Sequence, residues 1–96
     1  MTPKMLEAIL KTAEAETDKG GTSALPEKRS LTFYCAHAGV ALAVSRIVSL
    51  RVEDGLVKAQ DHKGELYVFA LEDAYAASVS GAAPPPTARK AGFLAG

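Results

Sequence analysis

Ile47-Val48-Ser49-Leu50-Arg51-Val52-Glu53-Asp54-Gly55-Leu56-Val57-Lys58-Ala59-Gln60-Asp61 decides the fold. Asp54-Gly55 favours positive φ at two successive residues, which a two-residue type I′ hairpin turn requires. Setting Glu53 opposite Leu56 places Val52 across from Val57, Arg51 across from Lys58 and Leu50 across from Ala59. Val52, Val57, Leu50 and Ala59 then share one face, so turn chemistry and hydrophobic alternation agree.

The same reading extends in both directions. Upstream, Leu31–Ala36 is rich in strand formers, and Ala38-Gly39 offers a two-residue turn into Val40–Val44. Pairing His37 with Val40 sets Cys35 opposite Leu42 and Phe33 opposite Val44. Downstream, His62-Lys63-Gly64 leads into 65–71. A three-residue loop with Gly64 left-handed turns Tyr67 and Phe69 toward Val57 and Ala59, whereas a two-residue loop reverses the faces. The first gathers Val48, Leu50, Val52, Val57, Ala59, Tyr67, Phe69 and Leu71 into one core. Residues 71–80 admit a helix by their alanine content or a further strand by alternation, and the strand is preferred.

At the N-terminus, Thr2 suits a helix cap and Pro3 the first helical position, with Met5, Leu6, Ile9, Leu10 and Ala13 at helical spacing. The expected organisation is an N-terminal helix segment over 1–17, helical from residue 3 to 17, a linker over 18–30, a β-meander body over 31–80 and a flexible Pro/Ala/Gly-rich tail over 81–96. The fold class is α+β, mainly β: the helix plus a five- or six-stranded antiparallel meander forming a small barrel or roll.

Composition bounds the function. The chain has 96 residues, eleven Lys+Arg against eleven Asp+Glu, and a hydrophobic fraction of 48%, which suits one globular domain. A nucleic-acid binder normally shows a basic excess; residues 31–80 hold four Lys+Arg against six Asp+Glu. A single cysteine cannot form an internal disulfide, which favours a reducing, cytoplasmic setting. No apolar run reaches the length of a membrane-spanning helix, and Met1-Thr2-Pro3-Lys4 opens an amphipathic segment, not a signal-peptide core.

The candidate chemistry is sparse. Cys35 and His37 stand two apart on a strand and could act as a metal pair or as a nucleophile with its base, with His62 in reserve. A buried cysteine packing as a small hydrophobe explains Cys35 more simply. Asp61-His62-Lys63-Gly64 places an imidazole beside a carboxylate, but a turn recruits the same residue types. Glu53-Asp54 and Glu72-Asp73 lack calcium-loop spacing. No Gly-x-x-x-x-Gly-Lys or Gly-x-Gly-x-x-Gly occurs. These residues lead to the expectation of a non-enzymatic protein with no cofactor.

Leu66, Val68 and Ala70 alternate with Tyr67 and Phe69, so the strand over 65–71 is apolar on both faces. Either the N-terminal helix or another subunit covers the second face. The expected activity is protein binding or scaffolding, including self-association, through Leu56, Leu66, Val68 and Ala70 with Arg51 and Lys58 alongside. The alternative is a nucleic-acid-binding regulatory module using Arg46, Arg51, Lys58 and Lys63, assisted by Arg89 and Lys90. Arg51 opposite Lys58 motivates it, since opposed cations repel unless an anion, or Glu53 or Glu65, lies between them.

The run Arg46-Ile47-Val48-Ser49-Leu50, Asp54-Gly55-Leu56-Val57-Lys58, Lys63-Gly64-Glu65-Leu66-Tyr67-Val68 and Leu71 resembles the start of the LytTR family of DNA-binding domains. The likeness covers under a third of the chain. The family implies a following basic segment with His and Arg for phosphate and base contact. Ala74–Ser80 and a Pro-rich tail stand there instead, so the family is not adopted.

Overall fold

The computed structural model describes residues 1–81. A helix, α1 (Pro3–Thr12), is followed by two short strands, β1 (Glu16–Thr17) and β2 (Ser23–Ala24). Four longer strands come next: β3 (Arg29–His37), β4 (Val40–Glu53), β5 (Leu56–Asp61) and β6 (Leu66–Ala70). A one-turn 3-10 helix (Leu71–Asp73) leads into β7 (Ala74–Gly81). All pairings are antiparallel, and the long strands run β7-β3-β4-β5-β6 across a sheet curled into a half-barrel. The expected tail from residue 82 onward lies outside the described residues.

Helix α1 begins as its sequence dictates: Thr2 Oγ1 accepts the Met5 N–H at 3.1 Å, and Pro3 opens the first turn. It stops well short of residue 17. The Ala15 N–H donates to Leu10 O and the Glu14 N–H to Lys11 O, with Glu14 at φ 61°. This is a Schellman closure with a glutamate in the left-handed position that glycine usually fills. An ion pair from Glu14 to Arg29 at 3.3 Å joins that helix end to β3.

The three hairpins hold the expected registers. His37 pairs with Val40, Cys35 with Leu42 and Phe33 with Val44. Glu53 pairs with Leu56 and Leu50 with Ala59. Val57 pairs with Phe69 and Ala59 with Tyr67. Both turn pairs, Ala38-Gly39 and Asp54-Gly55, have positive φ throughout, and Gly64 sits at φ 89°. The segment after the 3-10 helix is a strand, pairing with β3 from Arg29↔Gly81 to Cys35↔Ala74.

The main surprise is β4. Residues 40–44 and 47–53 are one strand, bent at a bulge where Ser45 and Arg46 oppose Thr32 alone and Arg46 adopts φ 60°. A second irregularity at Val48 interrupts the pairing with β5. The two shifts put Ile47 fully into the core and leave Val48 only half-buried, contrary to the expected core set. Val52, at the hairpin end, is also more exposed than expected, at 40%.

Past the bend, β4 receives β5 on one edge and β2 on the other, because Leu50 pairs with both Ala59 and Ser23. The stretch expected to be a linker is therefore partly ordered: β1 and β2 form a small hairpin on β4, with the Leu25 N–H on Val48 O at 2.9 Å. Asp18 closes this hairpin by accepting from the Gly20 and Thr22 N–H groups.

Phe33, Leu31, Ile47 and Val57 are the largest fully buried side chains, and Phe33 meets the Phe69 ring at 5.4 Å between centroids. Leu6 of α1 is buried in this same cluster, with Met1, Ile9 and Leu10 packed against it. The Met1 ammonium donates to Leu71 O and Ala74 O. The helix thus docks on the concave core side, near the 3-10 helix and β7.

Candidate functional site

Strand alternation gives β5 and β6 a second face, turned away from Val57, Ala59, Tyr67 and Phe69. Across it run the pairs Leu56↔Ala70, Lys58↔Val68 and Gln60↔Leu66. Leu56, Leu66 and Val68 are 41%, 59% and 54% exposed, and Ala70 is half-buried. The sheet register thus brings all four apolar residues expected at a binding face together as one stripe. Helix α1 does not cover it, since its apolar side is spent on the core. Among the described residues strand β6 pairs only with β5, and the stripe ends there at a strand edge with no further partner.

Arg51 and Lys58 lie beside the stripe as Cα partners. Glu53 resolves their repulsion: its carboxylate accepts from Lys58 Nζ at 2.7 Å and from Arg51 at 3.2 Å. The Lys58 hydrogen bond, then the Arg51 charge, holds the Glu53 carboxyl below its ordinary pKa. The opposed cations are therefore compensated within the hairpin.

The four cations of the nucleic-acid reading divide between two places. Arg51 and Lys58 border a depression with Leu66 and Gln60. Arg46 and Lys63 line a different pocket, shared with Asp61, His62, Glu65 and Tyr67. Arg89 and Lys90 lie outside the described residues.

At the His62 turn, Asp61 is buried and structural. Its Oδ1 accepts the N–H groups of Lys63 at 2.9 Å and Glu65 at 2.8 Å. Burial pushes this carboxyl up, but those two donors and the charges of His62 and Lys63 outweigh it, leaving a lowered pKa.

Cys35 and His37 border one apolar groove with Val40, Leu42, Phe69 and Asp73. His37 is exposed, and its Nδ1 lies 3.1 Å from Asp73 Oδ1, a partner supplied by the 3-10 helix that pattern reading missed. Burial first, then the Asp73 charge, raises the Cys35 thiol, against a smaller opposing effect of the N-terminal ammonium. A thiol held protonated is a poor nucleophile and metal ligand. His62 borders the Arg46 pocket instead. Among the described residues, no three His, Cys, Asp or Glu side chains converge as metal ligands, and no helix is long and apolar enough to cross a membrane.

Sequence reasoning also overlooked Lys28 and Arg29. They join Ser30, Arg46, Val48 and His62 around a further cleft of about 270 Å³. No periodic signal links Lys28 to Arg46; only the β3–β4 pairing and the bend bring them together.

Comparisons of the chain with protein-family models, with curated proteins and with solved structures each found no match.

Proposed function

We propose that this protein is a small non-enzymatic binding module that self-associates, two copies packing the convex faces of β5 and β6 against each other. The observation that carries this reading is the exposed stripe of Leu56, Leu66 and Val68, left uncovered by a helix committed to the opposite side. The charge pattern supports a second copy as the occupant. Glu53 already compensates Arg51 and Lys58, so covering the face leaves neither cation without a counter-charge. A patch carrying both signs beside an apolar stripe can also complement itself about a two-fold axis.

Each of the three side chains is already about half covered, so completing its burial contributes about 1 kcal/mol. That sum is modest beside the cost of association, so the dimer is weak and depends on concentration. The cytoplasmic setting suggested by the lone cysteine belongs to the same proposal.

Sedimentation velocity over a broad concentration range tests it. The wild type is expected to shift from monomer toward dimer as concentration rises, and Leu66→Glu/Val68→Glu is expected to remain monomeric with an unchanged Tm. A wild type that stays monomeric throughout, or a double variant that dimerises equally well, overturns the reading.

A further inference from the structure

We propose that the cleft between the β3 entry and the β4 bend is a binding site for a phosphate group. Lys28, Arg29, Ser30, Arg46, Val48 and His62 line it, and no carboxylate does. Arg29 already holds Glu14, an exposed side chain, at 3.3 Å. Neither Lys28 nor Arg46 forms an ion pair among the described residues. Two uncompensated cations, a third basic side chain, an imidazole and a hydroxyl thus share one opening. Guanidinium and ammonium donors around a hydroxyl are the chemistry that recognises phosphate oxygens.

The backbone holds this cluster in place. Lys28 and Arg46 both adopt left-handed conformations, φ 73° and 60°, without being glycine. Such positions cost strain, and they concentrate where side-chain placement serves a function. Three contacts fix them. The Arg29 N–H donates to Pro26 O at 3.1 Å, closing the turn that contains Lys28. Gly81 of β7 packs so tightly against Lys28 that an added Cβ would lie 1.7 Å from its carbonyl oxygen. The His62 N–H donates to Arg46 O at 3.1 Å, tying the β5–β6 turn to the bend. Residues from the turn before β3, the start of β3, the β4 bend and the β5–β6 turn are therefore preorganised around one cleft, which reduces the ordering cost of binding an anion. This site is independent of the convex face proposed for self-association.

The left-handed positions supply a clean test. Glycine accepts φ 73° and 60° without strain, so Lys28→Gly/Arg46→Gly removes both cations and keeps the backbone path. Amide chemical shifts of the full chain would be followed as inorganic phosphate is added, and separately as a short single-stranded oligonucleotide is added. Phosphate alone is expected to move the Lys28, Arg46 and His62 amides, at least ~10-fold more weakly in the double variant, whose Tm should not fall. Leu66→Glu/Val68→Glu is expected to respond like the wild type. If only the oligonucleotide binds, with salt-sensitive affinity lost in the glycine variant, the phosphate belongs to a nucleic-acid backbone. If neither probe moves these amides, or the glycine variant binds as tightly as the wild type, the proposal is overturned.

Discussion

Cys35 and Leu42 are Cα partners across the β3–β4 hairpin, yet Cys35 is 7% exposed and Leu42 62%. Both belong to the concave face by register. They differ because, among the described residues, β4 before its bend has a strand neighbour on one edge only, whereas Cys35 lies between β4 and β7. Position along the curl thus decides burial where alternation alone predicts equality.

Substitutions should report that gradient. Phe33→Ala, at the centre of the curl with no exposure, is expected to cost about 3–5 kcal/mol. Leu42→Ser is expected to stay within about 0.5 kcal/mol of the wild type. Urea unfolding monitored by circular dichroism separates the two, and equal losses would contradict the half-open core.

Cys35 is expected to resist modification in the native state. Its thiol is buried beside Asp73 and stays protonated at neutral pH. A disulfide exchange reagent should label it orders of magnitude more slowly in buffer than in denaturant. Rapid native labelling would show that the groove is open to the sulfur.

Acid sensitivity should trace in part to Asp61. Its folded pKa lies below its unfolded one, so the carboxylate stabilises the fold above the unfolded value. That contribution fades as pH falls from the ordinary aspartate range through the lower folded value. Asp61→Asn keeps an acceptor oxygen but removes the charge. The Tm gap between wild type and this variant is expected to be widest near neutral pH and to narrow below about pH 4. A constant gap across that range would assign the loss to hydrogen-bond geometry alone.

Glu14→Gly tests the helix end. Glycine removes the cost of the left-handed φ of 61° and loses an ion pair to Arg29 in which the carboxylate side is exposed and solvent-screened while the Arg29 side chain is mostly covered. The first effect is about 1 kcal/mol and the second a few tenths, so a net gain in stability is expected from thermal unfolding. A loss would mean that the Glu14–Arg29 link outweighs the strain.

Asp54-Gly55, Ala38-Gly39 and Gly64 fixed the hairpins because each turn needs positive φ at known offsets, and alternation then chose the register. The apolar stripe was legible for the same reason: Leu66 and Val68 must face opposite to Tyr67 and Phe69. The turn at Glu14 and the bulge at Arg46 were hidden because neither carries glycine; tertiary pairing holds ordinary residues in a conformation they avoid alone. The β1–β2 hairpin was hidden because two-residue strands show no period. His37–Asp73 and the Lys28–Arg46–His62 cluster join residues with no pattern connecting them.

The amino-acid order by itself determined the local pairings and which side chains share a face, because those follow from φ preferences and a two-residue period. Only the tertiary structure decided where α1 docks, how β4 bends and which cations meet around a cleft. Those depend on packing between elements distant in sequence: Leu6 could have covered the convex stripe, and buried itself beside Phe33 and Leu31 instead.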